Sequence, residues 1–275
     1  MTKKIRNPSA RRLAIQRQLL LDGMVAVEAL ALDLGVSVAT IRRDLTILED
    51  DGSVRRTHGG AVITAPRGAD QEFLLREQTD REAKWLIAHA AIELIEPDQT
   101  LFMNDGSTVM ALARELVASD MSLTVATPGV NIATALSQNP RISAYLAGGL
   151  VRHRTLGTVG DFVEHMLSAI NADTAFMAAE GFSAIEGLMF SYEADAKIAR
   201  IMSNKAAKTV VLATAQKIGR RDRMTAFPAS RVDVLITDCQ DESRIGAIRN
   251  LGVSVIVASK EQNNTNNVEI LPVQS

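Results

Sequence analysis

The chain has 275 residues, 47% of them hydrophobic, 23% charged and only 4% aromatic, which supplies apolar material for substantial cores and excludes a fibrous or disordered chain. Its single cysteine, Cys239, excludes an internal disulfide and fits a reducing cytoplasm; no Cys/His cluster has zinc-ligand spacing, and no apolar run reaches signal-peptide or membrane-spanning length, so neither metal, cofactor nor membrane is expected. The net charge of −2 conceals a split, with ten Lys/Arg against seven Asp/Glu in residues 1–62 and twenty against twenty-five in residues 63–275, so an anionic partner is expected for the first segment alone.

From Arg11 to Leu21, Ile15, Leu19 and Leu20 fall on one side of a helix with Arg12 and Gln16 opposite, and Asp22-Gly23 ends it. Val27, Leu30, Ala31 and Leu34 then recur at i, i+3, i+4 and i+7, the apolar stripe of a second helix, which Gly35 closes with a sharp turn. Ser37 is placed to cap a third helix over 38–52, in which Ile41, Leu45 and Leu48 share the buried face. Their burial leaves Val38, Ala39, Thr40, Arg42, Arg43 and Thr46 outward. Two amphipathic helices about a tight glycine turn, the second with its cations outward, have the geometry of a helix-turn-helix. The first-turn amides, Arg42 and Arg43 suit phosphates and guanine edges in the major groove of double-stranded DNA. Residues 53–63, SVRRTHGGAVI, read as a hairpin around His58-Gly59-Gly60, with Arg55 and Arg56 making a basic wing. Each helix taken singly is an ordinary solvated face, and it is the ordered set that predicts a DNA reader.

Residues 63–72 mix Pro, Gly and Ala without periodicity and read as a linker, which places a winged helix-turn-helix at 1–62 and a second domain at 73–275. In that domain, β-rich runs at 101–104, 123–126, 142–147, 174–178, 209–214, 232–237 and 253–258 alternate with helical segments around 80–95, 107–118, 129–138, 160–170, 193–207 and 242–251. The fold class is therefore α/β, a mainly parallel sheet with covering helices, whose ligands bind at the carboxyl ends of strands. Suitable groups stand there. Asn104-Asp105-Gly106-Ser107-Thr108 leads into a helix and makes an anion cradle of amides, hydroxyls and helix dipole. Thr127 to Asn131 forms a second such turn, Gly148 and Gly149 with Arg152 a third, with Arg154 and Thr158 nearby, and Lys217 follows the strand that ends at Thr214. The cations suit a phosphorylated ligand.

The string VSVATIRRDLTILEDDGSVRRTHGGA closely resembles the N-terminal signature of the DeoR family of bacterial transcription regulators. The resemblance implies a winged helix with Ser37, Thr40, Arg42, Arg43, Arg55, Arg56 and His58 at or near DNA. It departs at Ala26, where the family has a capping hydroxyl. From about Phe73 to Asp238 the chain resembles the family's effector domain, related in fold to ribose-5-phosphate isomerase: NDGST is similar to its DSGTT phosphate loop, GGLVR to its GG-x-x-R turn, TAFMAAEGFSAIEGL to its DxAFxGASGI…GGL region, and QKIGR to the end of its DSSKFGR motif. This implies a repressor of carbohydrate metabolism released by a phosphorylated sugar held by Asp105, Gly106, Ser107, Thr108, Thr127, Asn131, Gly148, Gly149, Arg152, Glu180 and Lys217. TPGVN stands where the family has TNS, Thr214 replaces an acid, and Glu180 brings a carboxylate where a small hydroxyl is usual.

The fold kinship makes a sugar-phosphate isomerase the rival reading, with Asp105, Glu180, Glu193, Asp195 and Lys217 as candidate proton-transfer groups. No second motif assembles a catalytic pair, so binding without turnover is expected, together with a homo-oligomer, dimer or tetramer, that engages paired half-sites. His89, His153 and His165 are expected to be hydrogen-bonding residues rather than metal ligands. Trp85, Met103, Met110, Met166, Met202 and Cys239 are expected to fill cores.

Overall fold

The computed structural model describes residues 7–22, 24–50, 54–57, 60–63, 73, 76–77, 79–152 and 155–260, and the chain divides into two compact units, residues 1–75 and 76–275. His58, His153 and Arg154 lie outside the described residues.

The first unit runs α1 (Pro8–Asp22), β1 (Met24–Ala26), α2 (Val27–Asp33), α3 (Val38–Asp50), β2 (Val54–Arg56) and β3 (Gly60–Ile63). Both expected stripes are buried: Val27, Leu30 and Ala31 from α2 with Leu34 just past its end, and Ile41, Leu45 and Leu48 from α3, join Ile15 and Leu19 of α1 in one core. The Leu20 side chain lies outside the described residues. Gly35 takes φ +64, the left-handed turn that lets α3 leave α2 sharply. Ser37 Oγ accepts a hydrogen bond from the Thr40 amide at 3.2 Å, as an N-cap does, whereas α2 starts at Ala26 without a side-chain cap.

Two features exceed the local reading. Met24–Ala26 pairs antiparallel with β3, so the wing is the edge of a three-stranded sheet in the order β1-β3-β2. Gly60 permits that pairing, since a Cβ there would stand 2.3 Å from the Val25 carbonyl oxygen. On α3, Asp44 lies on the core face with Ile41, Leu45 and Leu48, and is buried because Arg11 of α1 meets it with both Nε (2.5 Å) and Nη2 (3.2 Å). A carboxylate can occupy such a position only when paired in this way.

The second unit runs α4 (Arg81–Ile92), β4 (Thr100–Met103), α5 (Ser107–Ala118), β5 (Leu123–Thr127), α6 (Val130–Leu136), β6 (Ile142–Leu146), β7 (Leu150–Arg152), β8 (Gly157–Val159), α7 (Asp161–Ala169), β9 (Ala172–Ala178), β10 (Gly181–Ser183), β11 (Gly187–Phe190), α8 (Glu193–Lys205), β12 (Ala206–Leu212), β13 (Met224–Phe227), β14 (Val234–Thr237), α9 (Glu242–Arg249) and β15 (Ser254–Val257). The seven strands expected from the β-rich runs form one parallel sheet in the order β15-β14-β12-β9-β4-β5-β6. Strands added after β4 extend one way and those added from β9 the other. Connections therefore reverse between β4 and β9, which opens a crevice at their carboxyl ends.

The β7–β8 ribbon and the antiparallel sheet β10-β11-β13 were not legible, because three- and four-residue strands carry no usable periodicity. Met103, Met110, Met202 and Cys239 are buried, and Met166 packs half-buried on the same core. Trp85 departs from expectation. The buried stripe of α4 is Lys84, Ile87, Ala88 and Ala91, so Trp85 sits one position off it, is 45% exposed, and stacks on His89 at 5.5 Å. His89 is thus a stacking residue, and His165 is exposed.

Candidate functional site

The first candidate surface lies on the N-terminal unit. Core packing of Ile41, Asp44, Leu45 and Leu48 turns the opposite side of α3 outward, so Ala39, Arg42, Arg43 and Thr46 are exposed and Thr40 is half-buried. Ser37 and Thr40 share a hydroxyl contact of 2.8 Å at the helix start. The wing is fastened to this helix: the Arg56 amide donates to Glu49 Oε1 at 3.0 Å, and Arg56 Nη1 donates to Thr46 Oγ1 at 3.4 Å. Among the described residues, Arg42, Arg43, Arg55 and Arg56 form no ion pair, so their charges face solvent. An exposed helix face carrying uncompensated guanidiniums, with a basic strand beside it, has the chemistry to meet a phosphate backbone and base edges.

The second lies in the crevice of the large unit. Asn104 ends β4, and its side chain clasps the neighbouring strand: Nδ2 donates to the Ala178 carbonyl at 2.8 Å and Oδ1 accepts the Ala178 amide at 3.0 Å. The clasp replaces a ladder rung where β4 and β9 diverge. Gly106 follows; a Cβ on it would lie 2.4 Å from Ala178 Cβ, so only glycine keeps the two turns this close. The helix α5 then begins without a side-chain cap, leaving its first-turn amides as donors.

The crevice is a cavity of about 330 Å³, within the range of small-molecule sites. Asp105, Gly106, Ser107, Thr108, Arg152, Glu180 and Lys217 line it. Three of its cations are held by its carboxylates. Glu180 accepts Lys217 Nζ at 2.9 Å and Arg76 Nη1 at 3.2 Å, and Asp195 accepts Arg152 Nη1 at 2.6 Å while the same guanidinium lies 4.4 Å above the Tyr192 ring. Burial alone would raise the Glu180 carboxyl, but the hydrogen bond and charge of Lys217 and the charge of Arg76 outweigh it and hold it below the ordinary value. Asp195 goes the other way: burial, reinforced by the negative Asp105, pushes it up to about 6 against the pull of Arg152. Burial also brings the Lys84 ammonium down to about 8, where it donates to the carbonyls of Thr79 (2.7 Å) and Arg76. Five cations (Arg76, Lys84, Arg152, Lys217, Arg220) face four carboxylates (Asp80, Asp105, Glu180, Asp195) around one void, an arrangement suited to an anion that also carries hydroxyls.

Four expected pocket residues do not reach the cavity. Thr127 is fully buried and its Oγ1 accepts the Gly129 amide at 2.9 Å, so it shapes its own turn. Asn131 is absent from the lining, its amide buried without a hydrogen-bond partner among the described residues. Gly148 and Gly149 are exposed beside β7. Thr158, grouped with them, is buried and donates to the carbonyls of Pro128 and Ala147. Of the rival catalytic groups, Glu193 is exposed and paired with Arg200 outside the cavity. Asn104, the first residue of the expected cradle, lines the cavity too; Arg76, Lys84 and Tyr192 also line it and were missed. Lys84 left a signal, because it sits at the first position of an otherwise apolar i, i+3, i+4, i+7 stripe, where a cation is placed only to be used or paired.

Comparison with known proteins places both units in one family. Residues 11–67 match the DeoR-like helix-turn-helix domain and residues 79–239 the DeoR C terminal sensor domain. The chain is 34% identical to the HTH-type transcriptional regulator GlpR of Haloferax volcanii, covering 84% of this chain and 90% of that one. It is 30% identical to the lactose phosphotransferase system repressor of Streptococcus mutans, covering 81% and 89%. Ribose 5 phosphate isomerase A from Neisseria gonorrhoeae is similar with a TM-score of 0.37 and 14% identity over 53% of this chain and 56% of its own. Among the described residues no helix is long and apolar enough to cross a membrane. With a helix-turn-helix whose cations face outward, followed in sequence by a sensor domain, the chain belongs to the DeoR family of DNA-binding transcriptional regulators.

Proposed function

We propose that this protein represses a carbohydrate-metabolism operon and that a phosphorylated sugar, bound in the crevice between β4 and β9, relieves the repression. The observation that carries this reading is the set of crevice cations, Arg76, Arg152 and Lys217, each held by a carboxylate that an anionic ligand can replace. The cradle of Asp105, Gly106, Ser107 and Thr108 supplies amides and hydroxyls for the phosphate, while Glu180 and Asp195 accept hydrogen bonds from sugar hydroxyls. Ser37, Ala39, Thr40, Arg42, Arg43 and Thr46 of the third helix, with Arg55, Arg56 and His58 of the wing, contact the operator. In this assignment residues 1–62 read DNA, 63–72 link, and 73–275 sense and oligomerise. The ligand acts by favouring one state of the regulator over another and departs chemically unchanged, which separates the reading from isomerisation.

The test uses operator DNA from the protein's own promoter region. Arg43→Ala weakens specific binding by about 1–3 kcal/mol for each base that the guanidinium no longer reads. Lys217→Ala retains operator affinity but loses release by a sugar phosphate. Normal release by the Lys217 variant would remove the crevice from the reading, and unchanged operator affinity of the Arg43 variant would remove the helix.

A further inference from the structure

Four of the five cations that line the crevice stand within ion-pair distance of a carboxylate: Arg76 and Lys217 of Glu180, Arg152 of Asp195, and Arg220 of Asp222. Among the described residues Lys84 forms no such pair, although it is only 8% exposed on the buried stripe of α4. The carboxylates whose charge it feels are engaged elsewhere: Asp80 Oδ1 accepts Gln216 Nε2 at 2.9 Å and Glu77 Oε1 accepts Arg114 Nη2 at 2.6 Å. A buried cation is stable only with partners for its charge and its hydrogens. An ammonium has three hydrogens to give. Lys84 gives two, to the carbonyls of Arg76 and Thr79, and no third acceptor stands among the described residues.

We infer that Lys84 is an anion-binding residue of the crevice that gives its third hydrogen to the ligand, and that through it the ligand fastens the segment by which the chain enters the large unit. Arg76, Glu77, Thr79 and Asp80 are the first described residues of that unit after the linker. Cavity residues hold them at three places: Glu180 takes the Arg76 guanidinium, Lys84 the carbonyls of Arg76 and Thr79, and Gln216 the Asp80 carboxylate. The grip of Lys84 is incomplete without a ligand. Burial favours the neutral amine, and the like charges of Lys217 and Arg76 add to that, so the ammonium is brought down to about 8. A phosphate beside it restores the full charge, and a charged donor holds its carbonyls more strongly than a neutral one. Occupancy of the crevice and order in the segment therefore favour each other, by linkage. The inference rests on the crevice being the ligand site and not on the operator reading.

Hydrogen exchange of the full chain, read by mass spectrometry with and without inorganic phosphate or each sugar phosphate of a panel, tests it beside calorimetry in the same buffer. At saturation the amides of residues 76–84 exchange several-fold more slowly, while those of α9, which has no residue in the cavity lining, are unchanged. Lys84→Met suits the apolar stripe and keeps the side-chain length. In that variant the segment exchanges faster than the wild type without ligand, phosphate affinity falls roughly 10- to 100-fold, and saturation adds no protection. Binding heat without protection of residues 76–84 in the wild type overturns the inference and leaves the crevice as the ligand site, as does a Lys84→Met variant with wild-type affinity and protection. Absence of heat with every anion removes the crevice reading and this inference together.

Discussion

Glu180 occupies the place of an internal competitor, since its carboxylate holds the two cations, Lys217 at 2.9 Å and Arg76 at 3.2 Å, that an incoming phosphate needs. Replacing it by glutamine removes one negative charge and leaves the shape nearly unchanged. An anion seated between those cations would lie about 5–6 Å from the carboxylate, where the repulsion of two unit charges is about 3 kcal/mol at an effective dielectric of about 20. The side chains are about a quarter exposed, so water reduces the difference to about 1–2 kcal/mol, a 5- to 30-fold gain in affinity. Isothermal titration of Glu180→Gln with inorganic phosphate and with a panel of sugar phosphates reads this directly. The same substitution lowers stability without ligand. Glu180 has a depressed folded pKa, so its contribution is present at neutral pH and is lost only as pH falls below the ordinary carboxylate value of 4.5. A variant that binds phosphate no more tightly than the wild type would refute the competition argument.

Three further outcomes follow from the same geometry. Asp195, raised to about 6 by burial and by Asp105, contributes stability that is complete below its unfolded value of 3.8 and is lost as pH rises through about 6, on the order of 3 kcal/mol at most. Asp195→Asn therefore flattens the fall in melting temperature between pH 5 and 7, and parallel wild-type and variant profiles would count against the assignment. Asp44→Ala removes the buried carboxylate that holds the Arg11 guanidinium in the core of the N-terminal unit and costs about 3–5 kcal/mol; promoter affinity falls while phosphate binding by the large unit persists, as fluorescence anisotropy and calorimetry in parallel can show. Gly106→Ala has no backbone penalty at φ −79, yet its methyl meets Ala178 Cβ at 2.4 Å. The overpacking costs about 1–3 kcal/mol and displaces the cradle, so both melting temperature and phosphate affinity fall.

Local order carried the reading of this protein a long way. The stripes of α2 and α3, the glycine turn at Gly35 and the β-rich runs of the seven parallel strands follow from side-chain periods of 3.6 and 2 and from conformational preferences that each residue carries with it. Neighbours in sequence express these preferences before any distant contact forms. Which strand ends meet is another matter. Asn104 reaches Ala178 across 74 residues, Arg152 reaches Asp195 across 43, and Arg76 and Lys217 converge on Glu180, because the strand order reverses between β4 and β9. The same packing kept Thr127, Asn131, Gly148 and Gly149 out of the crevice and exposed Trp85, one step off a buried stripe. Spacing along a chain determines which way a side chain points from its own helix or strand; only the closed sheet determines what stands opposite it, since pairing between distant segments is selected by the packing of the whole core.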